Sequence, residues 1–160
     1  MRCLSMYRSV KGGYMKLLIK RKTLSDTAKV PTQATPTSVG YDLYADIEKP
    51  VVILPGECMR IYTGFALEIP PGYFGGVYAR SGLATGNGLI PAMCVGIIDP
   101  DFRGNICVPL KNLSDEAQYI APHTRIAQII FQPYAEVIFE DAKELSYTQR
   151  GAGGFGSTGK

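Results

Sequence analysis

Gly96-Ile97-Ile98-Asp99-Pro100-Asp101-Phe102-Arg103-Gly104 is the stretch from which the fold of this chain is read. Two β-branched residues run into Asp-Pro-Asp, and an aromatic residue, an arginine and a glycine follow. Asp at the first position of a turn, Pro at the second and Asp at the third suit a type I turn, because proline presets φ and aspartate caps the backbone. Asp99 and Phe102 are then the two ends of one turn, with α-carbons within roughly 7 Å of each other. A carboxylate beside an aromatic ring at a hairpin tip can cradle a small molecule. Taken alone, the same letters describe more simply a surface hairpin with a solvated aspartate.

The flanking sequence continues the β pattern. Residues 89–98 and 102–113 read as the strands on either side, and residues 125–139 as the last strand. Upstream, residues 16–20, 51–54, 58–69 (broken at Gly64) and 73–79 read as strands, with turns at Pro55-Gly56 and Pro70-Pro71-Gly72. Residues 38–46 alternate, with Tyr41, Leu43 and Ala45 on one face and Asp42, Tyr44 and Asp46 on the other. Residues 80–88 break the pattern and hold the one short helical turn expected. About ten short strands with turn signals between them imply an all-β fold, a jelly-roll-like antiparallel barrel or sandwich with at most one short helix.

The chain has 160 residues, enough for one domain that buries its own core. Its mean hydropathy of +0.02 is that of a globular chain, and no apolar run reaches the ~20 residues of a membrane span. The net charge of +3 misleads if read globally. Seven basic residues precede the first acidic one, Asp26, and from there on the balance is −4. The body therefore has no broad nucleic-acid footprint, and no nucleic-acid partner is expected. Residues 1–15 read as a basic, disordered extension without a secretory signal, residues 16–140 as the β core, and residues 141–160 as a connector and a flexible Gly-rich arm. Cys3, Cys58, Cys94 and Cys107 have no C-x-x-C spacing and His123 is the lone histidine, which disfavours a zinc site. Cys58, Cys94 and Cys107 lie among apolar residues and read as small buried hydrophobes, with a reducing cytoplasm as the natural compartment.

The tail imitates two motifs falsely. Gly151-x-Gly153-x-x-Gly156 spells a dinucleotide fingerprint and Gly154-x-x-x-x-Gly159-Lys160 part of a P-loop, but neither leads into the helix that such loops require. As an arm, the same residues do better. Successive glycine N–H groups can form an anion nest, Arg150 suits phosphate, Ser157 and Thr158 add hydroxyl donors, and Phe155 can lie flat on a base. Arg80-Ser81-Gly82 likewise offers a guanidinium, a hydroxyl and an unhindered amide, a set that suits a polyphosphate or an ordinary polar turn. Gln128 shares a face with Ile126 and Ile130, so it is a core tie or a site residue. Asp42 alone reads as solvated, and His123 as a turn residue.

Five stretches in this order resemble the five motifs of the trimeric dUTPases: residues 41–43, 79–83, 96–104, 125–128 and 150–159. The resemblance covers nearly the whole chain from about Lys16, and its third and fifth motifs are highly specific. It implies a jelly-roll homotrimer with C-terminal arm exchange that hydrolyses dUTP to dUMP and pyrophosphate with Mg²⁺, in active sites at subunit interfaces. It also implies roles. The hairpin backbone at Gly96, Ile97 and Ile98 would read uracil, Phe102 would pack the deoxyribose, and Asp99 would hold the 3′-hydroxyl and the attacking water. Arg80, Ser81, Gly82 and Gln128 of a second subunit would hold phosphates, with Asp42 near the water shell of the metal. A third subunit would lend Phe155 over the base and Arg150, Gly156, Ser157 and Thr158 to the phosphates. One position departs from the pattern: the aromatic two residues after the turn proline is usually tyrosine and is Phe102 here. The related dCTP deaminase branch resembles Arg-Ser-Ser where this chain has Gly82, and no glutamate lies between Glu68 and Glu116 to act as its base. A non-catalytic nucleotide-sensing sandwich is the reading from another class.

Overall fold

The computed structural model describes residues 7–9 and 15–154. Their strands are β1 (Tyr7–Ser9), β2 (Met15–Leu17), β3 (Lys20–Thr23), β4 (Tyr41–Tyr44), β5 (Val51–Ile53), β6 (Cys58–Tyr62) and β7 (Phe65–Glu68). After β8 (Tyr73–Tyr78) comes the helix α1 (Ser81–Asn87), then β9 (Leu89–Pro91), β10 (Gly96–Ile98), β11 (Cys107–Asn112), β12 (Gln118–Ile120) and β13 (Arg125–Pro133). Every pairing is antiparallel. The largest sheet runs β10-β8-β13-β4, a second runs β6-β11-β9, and three two-stranded pairs complete the set. The all-β expectation with one short helix therefore holds.

Alternation explains the core. In β11 the burial alternates along the strand, so Val108, Leu110 and Asn112 face inward. They meet Ile61 of β6 and a cluster that includes Leu43, Phe65, Val77, Ile126 and Ile129. Each fully buried aliphatic side chain of this kind contributes about 1.5–3 kcal/mol over an exposed one. Buried Asn112 has its polar groups answered: its amide donates to the carbonyls of Ile53 and Glu116, and its oxygen accepts from the amide and hydroxyl of Ser114.

Several expectations are corrected. Tyr7–Ser9, inside the head expected to be disordered, pairs with Met15–Leu17. The strand expected over residues 16–20 is split between β2 and β3. Residues 89–98 are two strands, because the chain turns after Pro91: the Cys94 amide bonds the Pro91 carbonyl at 3.0 Å, with Cys94 at φ 58°. The strand expected from residue 102 begins only at Cys107, β13 ends at Pro133 and not at residue 139, and the three-residue β12 went unanticipated. Cys58 and Cys94 are exposed and Cys107 half-buried, not core residues. In β11 and β6 the thiols occupy the outward positions of the alternation. His123 does sit in a turn, at φ 62°.

Candidate active site

The hairpin tip forms as its letters require. The Phe102 amide donates to the Asp99 carbonyl at 3.2 Å, the closing bond of the turn. Arg103 ties the turn from outside, with Nη1 donating to the carbonyls of Pro100 and Phe102. The Phe102 ring folds back over Gly104, where a β-carbon would stand 2.6 Å from the ring. Asp99 is exposed on the rim of a groove of about 730 Å³ lined also by Pro71, Phe74, Ile97, Asp101 and Tyr134. The strand leading into the turn, β10, is an edge strand that pairs with β8 alone among the described residues. One row of its backbone groups therefore faces away from the sheet, open to a ligand.

The second cluster lies elsewhere. Arg80, two residues past β8, precedes α1 in an extended conformation, and its Nε donates to Asp42 Oδ1 at 2.7 Å. Arg125 Nη1 reaches Oδ2 of the same carboxylate at 3.3 Å. Asp42, 7% exposed, is thus buried between two guanidinium groups, which corrects its reading as a solvated residue. Alternation did place it on the polar face, but that face carries the arginines that cover it. Gln128 pairs in register with Asp42 on one side and Tyr78 on the other. Its Nε2 donates to the Ala79 carbonyl at 2.9 Å, and Gly40 leaves the room it needs: a β-carbon there would stand 2.2 Å from Gln128 Oε1. Ser81 and Gly82 open α1, both exposed, with nothing within 4 Å of a β-carbon built on Gly82.

Arg125 was part of a quoted motif but received no role from the sequence. The letters held a signal, the consecutive apolar pair Ile126-Ala127; the structure buries both fully, which strict alternation forbids, so Ile126 does not share the face of Gln128 as expected. The register slips between Arg125 and Ala127, and this irregularity returns Arg125 to the face of Gln128 and Asp42.

Asp99 and Asp42 stand at diagonal corners of the large sheet. Ile98 lies opposite Gly75, whereas Asp42 aligns through Gln128 with Tyr78, and β10 and β4 are the opposite edges. About four residues along and three strands across give a separation of roughly 20 Å. Within one chain the sheet does not bring the hairpin and the arginine cluster together.

In the tail, Arg150 Nε donates to the Gly153 carbonyl at 2.8 Å, and Gly151 takes φ 50°. Phe155, Gly156, Ser157 and Thr158 lie outside the described residues. Between Pro133 and residue 154 there is no strand or helix, and Ile138, Phe139, Leu145 and Tyr147 are almost fully exposed. Among the described residues no three His, Cys, Asp or Glu side chains converge as a metal cage. Burial pushes the Cys107 thiol above its ordinary value, so it is not a poised thiolate.

The fold is shared with a nucleotide-bound protein of known structure. A Staphylococcus bacteriophage 80alpha dUTPase variant solved with dUpNHpp superposes with a TM-score of 0.81 at 27% identity, over 89% of this chain and 99% of that one. The family model for dUTPase matches residues 26–159, and the chain belongs to that family. Deoxyuridine 5′-triphosphate nucleotidohydrolases of Hydrogenobaculum sp. and Anaplasma marginale are 46% and 40% identical, each over 91% of this chain and 99% of the relative.

Proposed function

We propose that this protein is a dUTP diphosphatase, hydrolysing dUTP to dUMP and pyrophosphate and so keeping uracil out of DNA while supplying dUMP for dTMP synthesis. Family membership supports the reaction. The observation that carries the site reading is the turn closed between Asp99 and Phe102 at the end of an open sheet edge. Uracil pairs with the outward-facing backbone groups of the Gly96–Ile98 edge, Gly96, Ile97 and Ile98 forming the strand that presents them, and the Phe102 ring, backed by Gly104, lies against the deoxyribose and leaves no room for a 2′-hydroxyl. Asp99 orients a water at the first phosphorus. It acts chiefly by direction, and a weak base that fixes the line of attack still accelerates the step.

Phosphate oxygens are met by Arg80, Ser81, Gly82 and Gln128 and by the tail residues Arg150, Gly156, Ser157 and Thr158, with Phe155 over the base. Such transfers need positioning and charge neutralisation more than covalent chemistry. A bound Mg²⁺ would supply charge neutralisation on the triphosphate. The residues here would fit a cation held mainly by phosphate and water: both oxygens of Asp42 already carry guanidinium groups, so Asp42 would contribute only through water.

The roughly 20 Å between hairpin and arginine cluster favours a site assembled from separate copies. So do Ile138, Phe139, Leu145 and Tyr147, which find no cover among the described residues. We read the assembly as a homotrimer with exchanged arms. The described residues contain no helix long and apolar enough to cross a membrane, and free thiols at Cys58, Cys94 and Cys107 suit the cytoplasm.

Pyrophosphate release from dUTP, dTTP, dCTP and UTP with Mg²⁺ tests the proposal. Rapid turnover of dUTP alone is expected. Turnover of dTTP at the same rate, or none of dUTP, overturns it.

A further inference from the structure

We propose that Arg125 is a positioning residue for the phosphate half of the site: it holds Asp42 so that Asp42 can aim Arg80 at the triphosphate. The inference rests on the phosphate role given to Arg80 above. Asp42 is fixed from three sides. Its amide donates to the Thr32 carbonyl at 2.7 Å, Oδ1 takes the Nε of Arg80, and Oδ2 takes Nη1 of Arg125.

The way Arg80 is held matters. A guanidinium has five N–H donors. Gripping Arg80 by Nε uses one of them and leaves the fork of terminal nitrogens, which has no partner among the described residues, for phosphate. A fork-to-fork pair with Asp42 would have consumed the face that binds oxygen anions bidentately. Arg125 supplies what this arrangement lacks. With Arg80 alone, Asp42 would neutralise the cation meant for the substrate; with Arg125 on the other oxygen the cluster keeps one net positive charge.

The backbone is shaped for this. Ile126 and Ala127 are both wholly buried and the register slips beside them, which turns Arg125 onto the face of Gln128 and Asp42. Bulges that re-aim a side chain are frequent beside active sites. Arg125 is half exposed, so packing alone does not account for where its head group lies.

The test compares wild type, Arg125→Gln and Arg125→Lys in the full chain, by affinity for dUpNHpp and for deoxyuridine, which lacks phosphates. Arg125→Gln is expected to weaken dUpNHpp binding about tenfold while deoxyuridine binding stays within twofold, and Arg125→Lys, which keeps the charge, to recover part of the loss. Unchanged dUpNHpp affinity in Arg125→Gln, or equal weakening of both ligands in both variants, overturns the proposal. Wild-type hydrolysis of dUTP is measured separately, so this inference and the proposed reaction fail independently.

Discussion

Gly40→Ala probes the best-defined close approach in the candidate site. The new β-carbon would lie 2.2 Å from Gln128 Oε1, 3.1 Å from Cδ and 3.3 Å from Cβ. The amide must swing away, and its 2.9 Å bond to the Ala79 carbonyl breaks. The lost bond costs about 1 kcal/mol and the forced repacking about 1–3 kcal/mol. Alanine recovers about 0.4–1 kcal/mol by restricting the unfolded chain. The net loss is about 1–3.6 kcal/mol, which for a domain of this size lowers Tm by roughly 2–14 °C at fixed protein concentration. Calorimetry or circular dichroism reads this directly. The decisive comparison is the double variant Gly40→Ala/Gln128→Ala. With the amide gone, Gly40→Ala should cost less than about 1 kcal/mol, a coupling of the size found for residues in contact. An equal loss in both backgrounds refutes the reasoning.

Three further outcomes follow from the same geometry. Asp99→Asn keeps the turn and should bind dUpNHpp nearly as wild type while turnover falls by about 10²–10⁴, measured by pyrophosphate release; undiminished turnover removes Asp99 from the mechanism. Deleting residues 150–160 removes no core side chain among the described residues, so Tm should hold within about a degree or two while hydrolysis collapses; a fully active truncation removes the arm from the site. Gly104→Ala displaces the Phe102 ring, and the ratio of dUTP to UTP in kcat/KM should fall. An unchanged ratio means that the ring does not set sugar selectivity.

Local chemistry was legible in the sequence and long-range geometry was not. Asp99-Pro100-Asp101-Phe102 specifies its turn within four residues, and alternation at residues 41–45 places Leu43 and Ala45 inside. Arg80 and Arg125 meet Asp42 across 38 and 83 residues of chain, through a register that only the folded sheet supplies. Nothing local to Asp42 distinguishes a carboxylate facing water from one facing two guanidiniums. The thiols went wrong for another reason. Hydrophobicity argued them inward, whereas the two-residue period places Cys107 on the opposite face from Val108 and Leu110, and the period decided.

The diagonal placement of Asp99 and the Arg80–Asp42 cluster makes a prediction that the separate substitutions do not. If one chain supplies the water-orienting carboxylate and another the phosphate-binding guanidinium, two inactive variants can repair each other. Asp99→Asn keeps Arg80, and Arg80→Gln keeps Asp99. Unfolded together in equal amounts and refolded, they assort at random into closed rings. Each shared site then has a one-in-two chance of a sound carboxylate and, independently, a one-in-two chance of a sound guanidinium. About a quarter of wild-type activity should return, by this counting over symmetric copies. A site drawn from a single chain gives a different answer, because every chain in the mixture carries one lesion and none is complete. Activity that stays at the level of the separate variants, in a mixture whose melting matches theirs, would mean that Arg80 reaches the nucleotide held by its own hairpin. The roughly 20 Å across the sheet would then have to close by a rearrangement of β8 against β10, whose three in-register pairs oppose such a movement.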